Sequence, residues 1–257
     1  VLVLSLGGAS GNLSAFEGKG FEIAAVMGAD LGLQVPEIPW HSGRDGIAEF
    51  AGLCGLICGS LAKMSLDLLA FAQTGEGVRA GTAGGSSTMP HKANPTGAEA
   101  MLALARHGQG QMAQVVGAMA HGQERDGAAW SQEWLSLPGL VMSTGAGLRH
   151  GLELVKSLKV DAENLSECFD ETQGLMMAEA ASFALAEHMG LAEARAVVKG
   201  ACAKAVASGQ HLRDVMQGET ILPIDWDAVF DAKGALGESA QIVDRFCAVV
   251  SAERTVG

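Results

Sequence analysis

The sequence Gly81-Thr-Ala-Gly-Gly-Ser-Ser-Thr-Met-Pro-His-Lys-Ala-Asn-Pro95 separates two long apolar stretches. Its glycines can adopt backbone angles that other residues rarely reach, and Pro90 and Pro95 prevent a helix from continuing through it. The sequence therefore predicts a loop. The loop carries three hydroxyl groups, an ammonium group and a carboxamide, at Ser86, Ser87, Thr88, Lys92 and Asn94. These donors suit a carboxylate ligand, whereas an ordinary Gly/Ser/Pro stretch would be a solvated surface loop.

Long apolar stretches on both sides of this loop have the residue spacing of buried helices. They cover residues 47–71, 98–120 and 130–158. Pro138 in the third stretch predicts a kink or a new helix start, and Ser42-Gly-Arg-Asp45 has the pattern of a capping box that begins the first. Because no segment alternates apolar and polar residues over the length of a strand, the predicted fold class is all-α, with a bundle of long central helices.

The pattern changes at residue 161, after which the amphipathic helical segments are shorter and are separated by glycines. These segments cover residues 162–169, 175–188, 192–207, 211–216, 226–230 and 238–252. We therefore expect two domains: a central helical bundle that carries the loop, residues 1–160, and a smaller C-terminal helical domain, residues 161–257. The chain begins without a methionine, inside an apolar run, so we also expect an N-terminal domain to precede Val1.

The composition indicates a globular protein with an acidic balance. The 257 residues are 48% hydrophobic, and 17 Lys and Arg against 29 Asp and Glu give a net charge of −12. This charge opposes binding to nucleic acid and to anionic membranes, and the longest uncharged apolar run, residues 50–62, is too short to span a bilayer. The five cysteines include no CxxC pair, which predicts reduced thiols and no metal site. We expect a cytoplasmic protein without a nucleic-acid or membrane partner.

The pattern Gly-Ser-Ser-x-Met-Pro-x-Lys-x-Asn-Pro is the signature of the fumarase/aspartase superfamily, and residues 85–95 match it at every fixed position. Four flanking segments resemble the cycloisomerase branch of that superfamily: Gly7-Gly-Ala-Ser-Gly11, Trp40-His-Ser-Gly-Arg-Asp45, Ile47-Ala-Glu-Phe50 and Trp134-Leu-Ser-Leu-Pro138. The resemblance covers essentially the whole chain. It implies a homotetramer with a core of long helices, active sites assembled from more than one subunit, and no metal or organic cofactor.

The resemblance also implies a reaction and roles for the loop residues. Enzymes of this branch close a small tricarboxylate diene to a lactone in the β-ketoadipate pathway of aromatic breakdown, the reverse of the β-elimination common in the superfamily. The match assigns proton transfer at carbon to Ser86. It places Lys92 and Asn94 on a substrate carboxylate, assisted by Ser87 and Thr88.

Five positions bear on how closely this chain follows that branch. His41 and Arg44 precede a long helix and are either substrate ligands or part of a polar cluster at the start of the helix. Ala93 stands where the branch often has Arg, and Gly43 and Gly46 stand where its members tend to have larger polar residues. We expect these changes to affect substrate preference. An active-site histidine of the family is expected upstream of the first residue of this chain.

Two other functions are compatible with the sequence. An elimination lyase of the adenylosuccinate or argininosuccinate kind would, for a nucleotide substrate, need Arg, Ser and His side chains around a phosphate. At the corresponding stretch this chain has Trp130, Gln132 and Trp134 instead. The other alternative is a catalytically inert relative or fragment of such an enzyme. The intact loop motif disfavours it, whereas the expected N-terminal segment missing from this chain favours an inert fragment.

Overall fold

The computed structural model describes residues 3–75, 77–80, 84–85 and 93–253. The chain divides into two compact units, Val1–Val160 and Asp161–Gly257. The first unit begins with a short 3-10 turn, Ser14–Phe16, and helix α1, Gly20–Leu31. The N–H of Leu4 donates to the carbonyl of Gln34 at 2.8 Å, which ties the two ends of this segment together.

Three long helices form the body of the first unit: α2 (Asp45–Thr74), α3 (Thr96–Gly117) and α4 (Gly127–Lys156). At 1.5 Å per residue, the 30 residues of α2 extend over roughly 45 Å. The early part of α2 meets the late part of α3 closely, since a Cβ added at Gly55 would lie 2.1 Å from Sδ of Met112. The buried core between the helices includes Cys58, Met101 and Leu140.

The helices alternate in direction, so the two ends of the bundle carry different parts of the sequence. One end holds the C-terminus of α2, the N-terminus of α3 and the C-terminus of α4. Two antiparallel ribbons lie there: β1 (Val78–Arg79) pairs with β4 (Lys159–Val160), and β2 (Gly84–Gly85) pairs with β3 (Ala93–Asn94). The other end holds the starts of α2 and α4 and the end of α3, next to the glycine-rich segment before α1.

One local prediction is wrong, and one of the two outcomes predicted at Pro138, a kink or a new helix start, does not occur. No side chain in the described part of the chain caps α2, which begins at Asp45 with Arg44 at its N-cap position, so Ser42 and Asp45 do not form a capping box. The side chain of Arg44 is drawn instead into an ion pair with α4. The predicted new helix start at Pro138 does not occur, because α4 continues through it. Pro138 is exposed, where water can bind the backbone carbonyl that its ring leaves without a donor.

The second unit consists of short helices around a core of its own. They are α5 (Ala162–Glu171), α6 (Ala178–Ala186), α7 (Leu191–Ser208), α8 (Leu212–Glu219), α9 (Trp226–Val229), α10 (Ala232–Ala235) and α11 (Ser239–Glu253), with a 3-10 turn at Leu175–Met177. Buried side chains from α6 to α9, including Leu185, Val198, Leu212, Met216 and Trp226, form the core. The all-α fold class predicted from the sequence is confirmed.

Within the described ranges, α2 alone is long and apolar enough to cross a membrane, judged by length and composition only. The central helix of a soluble bundle meets the same criterion, because it is apolar around most of its circumference.

Candidate active site

The site residues predicted from the sequence fall in separate places. Four of them lie outside the described residues: Ser86, Ser87, Thr88 and Lys92. Asn94 is partly buried in β3, and Arg44 immediately precedes α2. Asn94 and Arg44 therefore lie at opposite ends of the bundle, separated by roughly the 45 Å length of α2. One copy of this chain does not bring them together.

The ends of the signature loop are held together by the ribbon of β2 and β3. Gly84 is paired with Asn94, and Gly85 is paired with Ala93. Asn94 lies two residues before the start of α3 at Thr96. The N-terminal end of a helix carries partial positive charge, so the Asn94 carboxamide lies where an anionic group is favoured.

At the opposite end, three polar side chains surround the indole of Trp130. The ring of His41 meets Trp130 edge-on with centroids 5.1 Å apart, and the ring of His121 does so at 5.9 Å. The guanidinium of Arg125 lies 5.2 Å from the centre of the same indole. We call His41, His121, Arg125 and Trp130 the Trp130 cluster. It brings two imidazoles and a cation to one aromatic side chain.

The histidines of the Trp130 cluster are under-satisfied. Nε2 of His41 and both ring nitrogens of His121 are buried and have no hydrogen-bond partner within the part of the chain that the structure describes. A buried polar atom without a partner costs about 1–3 kcal/mol, and a catalytic or ligand-binding role is one explanation for such an atom. The Trp130 cluster is therefore a candidate for binding or proton transfer.

The glycine-rich segment before α1 fits closely against His41. A Cβ added at Gly11 would lie 2.8 Å from Cβ of His41, and one added at Gly7 would lie 2.9 Å from its Nδ1. Gly11 also has a φ of +76°, in the left-handed region that favours glycine. Gly7 and Gly11 are thus required by the close contact with His41.

Asp126 fixes the start of α4 beside this cluster. Its Oδ1 accepts hydrogen bonds from the N–H groups of Ala128 and Ala129 at 2.9 and 3.0 Å, and its Oδ2 accepts one from Gly122 at 2.9 Å. The bonds from Ala129 and Gly122 hold the pKa of this carboxyl below its usual value, and His121 acts in the same direction.

Arg44 forms an ion pair with Glu133 of α4. Its Nε and Nη2 donate to the two carboxylate oxygens of Glu133 at 2.8 and 2.5 Å. Both side chains are almost completely buried. This arrangement matches the polar cluster considered from the sequence, and a role for Arg44 as a substrate ligand stays a prediction.

Sequence reasoning missed Glu133 and His121 as site residues. Glu133 had a detectable signal: it is a charged residue between Trp130 and Trp134 in an otherwise apolar helical stretch. Within the described ranges, no group of three or more His, Cys, Asp or Glu side chains is arranged to hold a metal ion.

Comparison of the sequence with known protein families shows which proteins this chain resembles. A family model described as Lyase matches residues 1–110, and one described as Adenylosuccinate lyase C-terminus matches residues 174–246. The chain belongs to the lyase family. The superfamily prediction drawn from residues 85–95 is thereby confirmed.

Within the lyase family, the chain is similar to proteins named 3-carboxy-cis,cis-muconate cycloisomerase. It is 36% identical to the one from Bradyrhizobium diazoefficiens over 258 residues, which is 95% of this chain and 56% of that protein. It is 37% identical to the one from Acinetobacter baylyi over 254 residues, again 95% and 56%. The crystal structure of 3-carboxy-cis,cis-muconate lactonizing enzyme from Pseudomonas putida matches with a TM-score of 0.85 and 35% identity, over 100% of this chain and 58% of that one. This chain thus spans little more than half the length of these relatives.

Proposed function

We propose that the protein containing this chain closes 3-carboxy-cis,cis-muconate to 4-carboxymuconolactone, as a cycloisomerase of the β-ketoadipate pathway. The observation that carries the proposal is the similarity over 95% of the chain to cycloisomerases of that name. The intact motif at residues 85–95 adds support, since the loop retains the hydroxyl, ammonium and carboxamide groups that the reaction would use.

The chemistry of lactonisation explains why the loop needs these groups. A carboxylate oxygen of the substrate adds to one alkene carbon, and a proton is added to the carbon next to another carboxylate. Negative charge grows on that second carboxylate in an enediolate-like state, and each preorganised donor aimed at it lowers the barrier by a few kcal/mol. Lys92 and Asn94 are the proposed donors, with Ser87 and Thr88 assisting. Ser86 is the proposed proton-transfer residue, activated by Lys92 and by backbone N–H groups.

The proposed substrate is a small tricarboxylate, which the protein must attract against its own net charge of −12. A local positive field is therefore needed at the site. Lys92 would supply it at the loop. Arg125, held over Trp130 at the other end of the bundle, would supply it there and contact a second carboxylate. No metal or organic cofactor enters this scheme.

We infer that the protein is a homo-oligomer, most simply a tetramer, in which the loop of one copy meets the Trp130 cluster of another. The separation of Asn94 from Arg44 by the length of α2 supports this, because a small substrate cannot contact both ends of one copy. The exposed apolar side chains of the long helices support it as well. Leu56 on α2 is 73% exposed, and Leu135 and Met142 on α4 are 82% and 72% exposed. Apolar surface of this extent is typical of an interface.

An elimination lyase with a nucleotide substrate is less favoured, because the residues that stand where a phosphate would be held are not phosphate ligands and have other contacts. Trp130 stacks on Trp134 with centroids 6.1 Å apart. The amide of Gln132 donates to the carbonyl of Gln114 at 2.9 Å. We also propose a cytoplasmic location, in agreement with the five cysteines, which form no disulfide within the described ranges.

The test is turnover by the full-length protein in the presence of a metal chelator. Purified protein is mixed with 3-carboxy-cis,cis-muconate, and loss of the ultraviolet absorbance of the conjugated diene is followed. The proposal predicts loss of absorbance and formation of the lactone. Turnover of adenylosuccinate without turnover of the muconate would identify an elimination lyase, and turnover of neither would identify an inert relative.

A further inference from the structure

Glu133 is a nearly buried charge that the proposed reaction does not yet use. It is 4% exposed, and both of its carboxylate oxygens accept hydrogen bonds from the guanidinium of Arg44. Two parallel bonds between planar groups fix the relative orientation of the partners as well as neutralising their charges. The pair therefore holds the residues just before α2 in one position relative to α4.

The segment that this pair holds is Trp40 to Arg44. The guanidinium of Arg44 lies 5.1 Å from the centre of the Trp40 ring, and the indole N–H of Trp40 donates to the carbonyl of Leu4 at 2.8 Å. His41 lies in the same segment and meets Trp130 edge-on. Trp130 and Glu133 are three residues apart on α4 and so share one face of that helix. One face of α4 thus contacts the segment twice, at His41 and at Arg44.

We propose that Glu133 is a positioning residue: through Arg44 it holds His41 in place as a proton-transfer group. The inference rests on the proposed function, which supplies the reaction. His41 is suited to this role because its Nε2 is buried and has no partner among the described residues. An imidazole can serve as an acid or a base in catalysis. To transfer a proton to the substrate, it must be held within reach of the reacting carbon. In this arrangement Arg44 links Glu133 to the segment from Trp40 to Arg44, which contains His41.

The experiment compares Glu133→Gln and Glu133→Asp with wild type in the full-length protein. Glu133→Gln keeps the shape of the side chain and removes its charge. We expect kcat to fall by about tenfold or more while KM changes by less than about twofold, since a positioning defect acts on the transition state. Glu133→Asp keeps the charge and should recover part of kcat. Glu219→Gln is the matched control, because it removes one partner of the more exposed ion pair with Lys204 in the second unit; it should behave as wild type.

Two kinetic outcomes would overturn the proposal. One is a kcat for Glu133→Gln equal to that of the Glu219→Gln control. The other is a lower KM with unchanged kcat, which would mean that Arg44, once released, binds substrate directly. If the wild type does not consume the muconate, the proposed function fails instead, so the two failures are distinguishable. The ring resonances of His41, measured by NMR without substrate, give an independent readout: they should shift in Glu133→Gln and not in the control, and an unchanged His41 signal would also overturn the proposal.

A double variant covers the case in which Glu133→Gln fails to fold. Arg44→Met with Glu133→Met replaces the pair by apolar groups of similar volume, a change that buried ion pairs often tolerate. We expect this variant to have a thermal midpoint near that of wild type and a kcat as low as that expected for Glu133→Gln. A wild-type kcat in this variant would contradict a positioning role.

Discussion

Arg44 and Asn94 lie at opposite ends of one three-helix bundle, separated by roughly the 45 Å length of α2. Arg44 belongs to the end that carries the Trp130 cluster, and Asn94 to the end that carries the signature loop. Both ends have features expected of an active site: donors for a carboxylate at one, and under-satisfied imidazoles beside a cation at the other. A site that uses both ends requires at least two copies of the chain.

Substitutions in the signature loop should separate its catalytic and binding roles. Ser86→Ala is expected to lower kcat by about 10²- to 10⁴-fold, the usual contribution of a positioned acid or base. Lys92→Ala is expected mainly to raise KM, because it removes a cation that binds the substrate carboxylate in the ground state as well. Steady-state kinetics with 3-carboxy-cis,cis-muconate distinguish the two, and equal, small effects from both would show that the loop is not catalytic.

Gly11→Ala tests the contact between the glycine-rich segment and His41. Gly11 has φ +76° and would place a Cβ 2.8 Å from Cβ of His41, whereas Gly18 has φ +82° and open space around it. Alanine at either position adds the cost of left-handed backbone, about 1–2 kcal/mol. Only Gly11→Ala must also displace His41. Urea unfolding should therefore show a larger loss of unfolding free energy for Gly11→Ala than for Gly18→Ala, and equal losses would mean that the contact is loose.

The sequence predicted the all-α class because the long apolar stretches in the first 160 residues show helical spacing and no alternation. It did not predict where α2 begins. Ser42 and Asp45 have the spacing of a capping box, but the bidentate pair with Glu133 draws the preceding Arg44 toward α4. A partner 89 residues away in the chain outweighs a local capping preference, and helix-start rules consider only local residues.

From the sequence, the polar residues of the loop are predicted as site residues. The Trp130 cluster at the other end of the bundle is not. The loop was identifiable because its motif is contiguous. The Trp130 cluster is assembled from three separate segments: His41 precedes α2, His121 and Arg125 lie between α3 and α4, and Trp130 lies on α4. Their proximity follows from the packing of α2, α3 and α4, and packing of this kind leaves no periodic signal in the sequence.

Asp126→Ala should make the start of α4 sensitive to pH. The hydrogen bonds from Ala129 and Gly122 lower the pKa of Asp126 in the folded protein, so its stabilising contribution is present above the unfolded pKa and is lost as pH falls through the folded pKa. The difference in unfolding free energy between wild type and Asp126→Ala should therefore be largest near neutral pH and shrink in acid. Asp126→Asn, which keeps a capping oxygen without a titrating group, is the control. A difference that does not change with pH would contradict the role of the carboxylate.

Charged substitutions on the long helices should dissociate the proposed oligomer. Leu56→Glu and Leu135→Glu each replace an apolar side chain with a charged one. In one copy, Leu56 is 73% exposed and Leu135 is 82% exposed. Burying an unpaired charge in an interface is strongly unfavourable, so light scattering should show a smaller species with little activity. Ile221→Glu, at a fully exposed position of the second unit, should leave mass and activity unchanged. An unchanged mass for both leucine variants would show that these faces are not an interface.

The most direct test of a site shared between copies is complementation between Lys92→Ala and Arg125→Ala, which alter opposite ends of the bundle. At a muconate concentration well below the KM of either variant, each variant alone should show little turnover. When equal amounts are unfolded, mixed and refolded together, about one quarter of the sites should draw both intact residues from different copies, with a corresponding recovery of muconate turnover. A mixture no more active than the separate variants would contradict a site built from the loop of one copy and the Trp130 cluster of another.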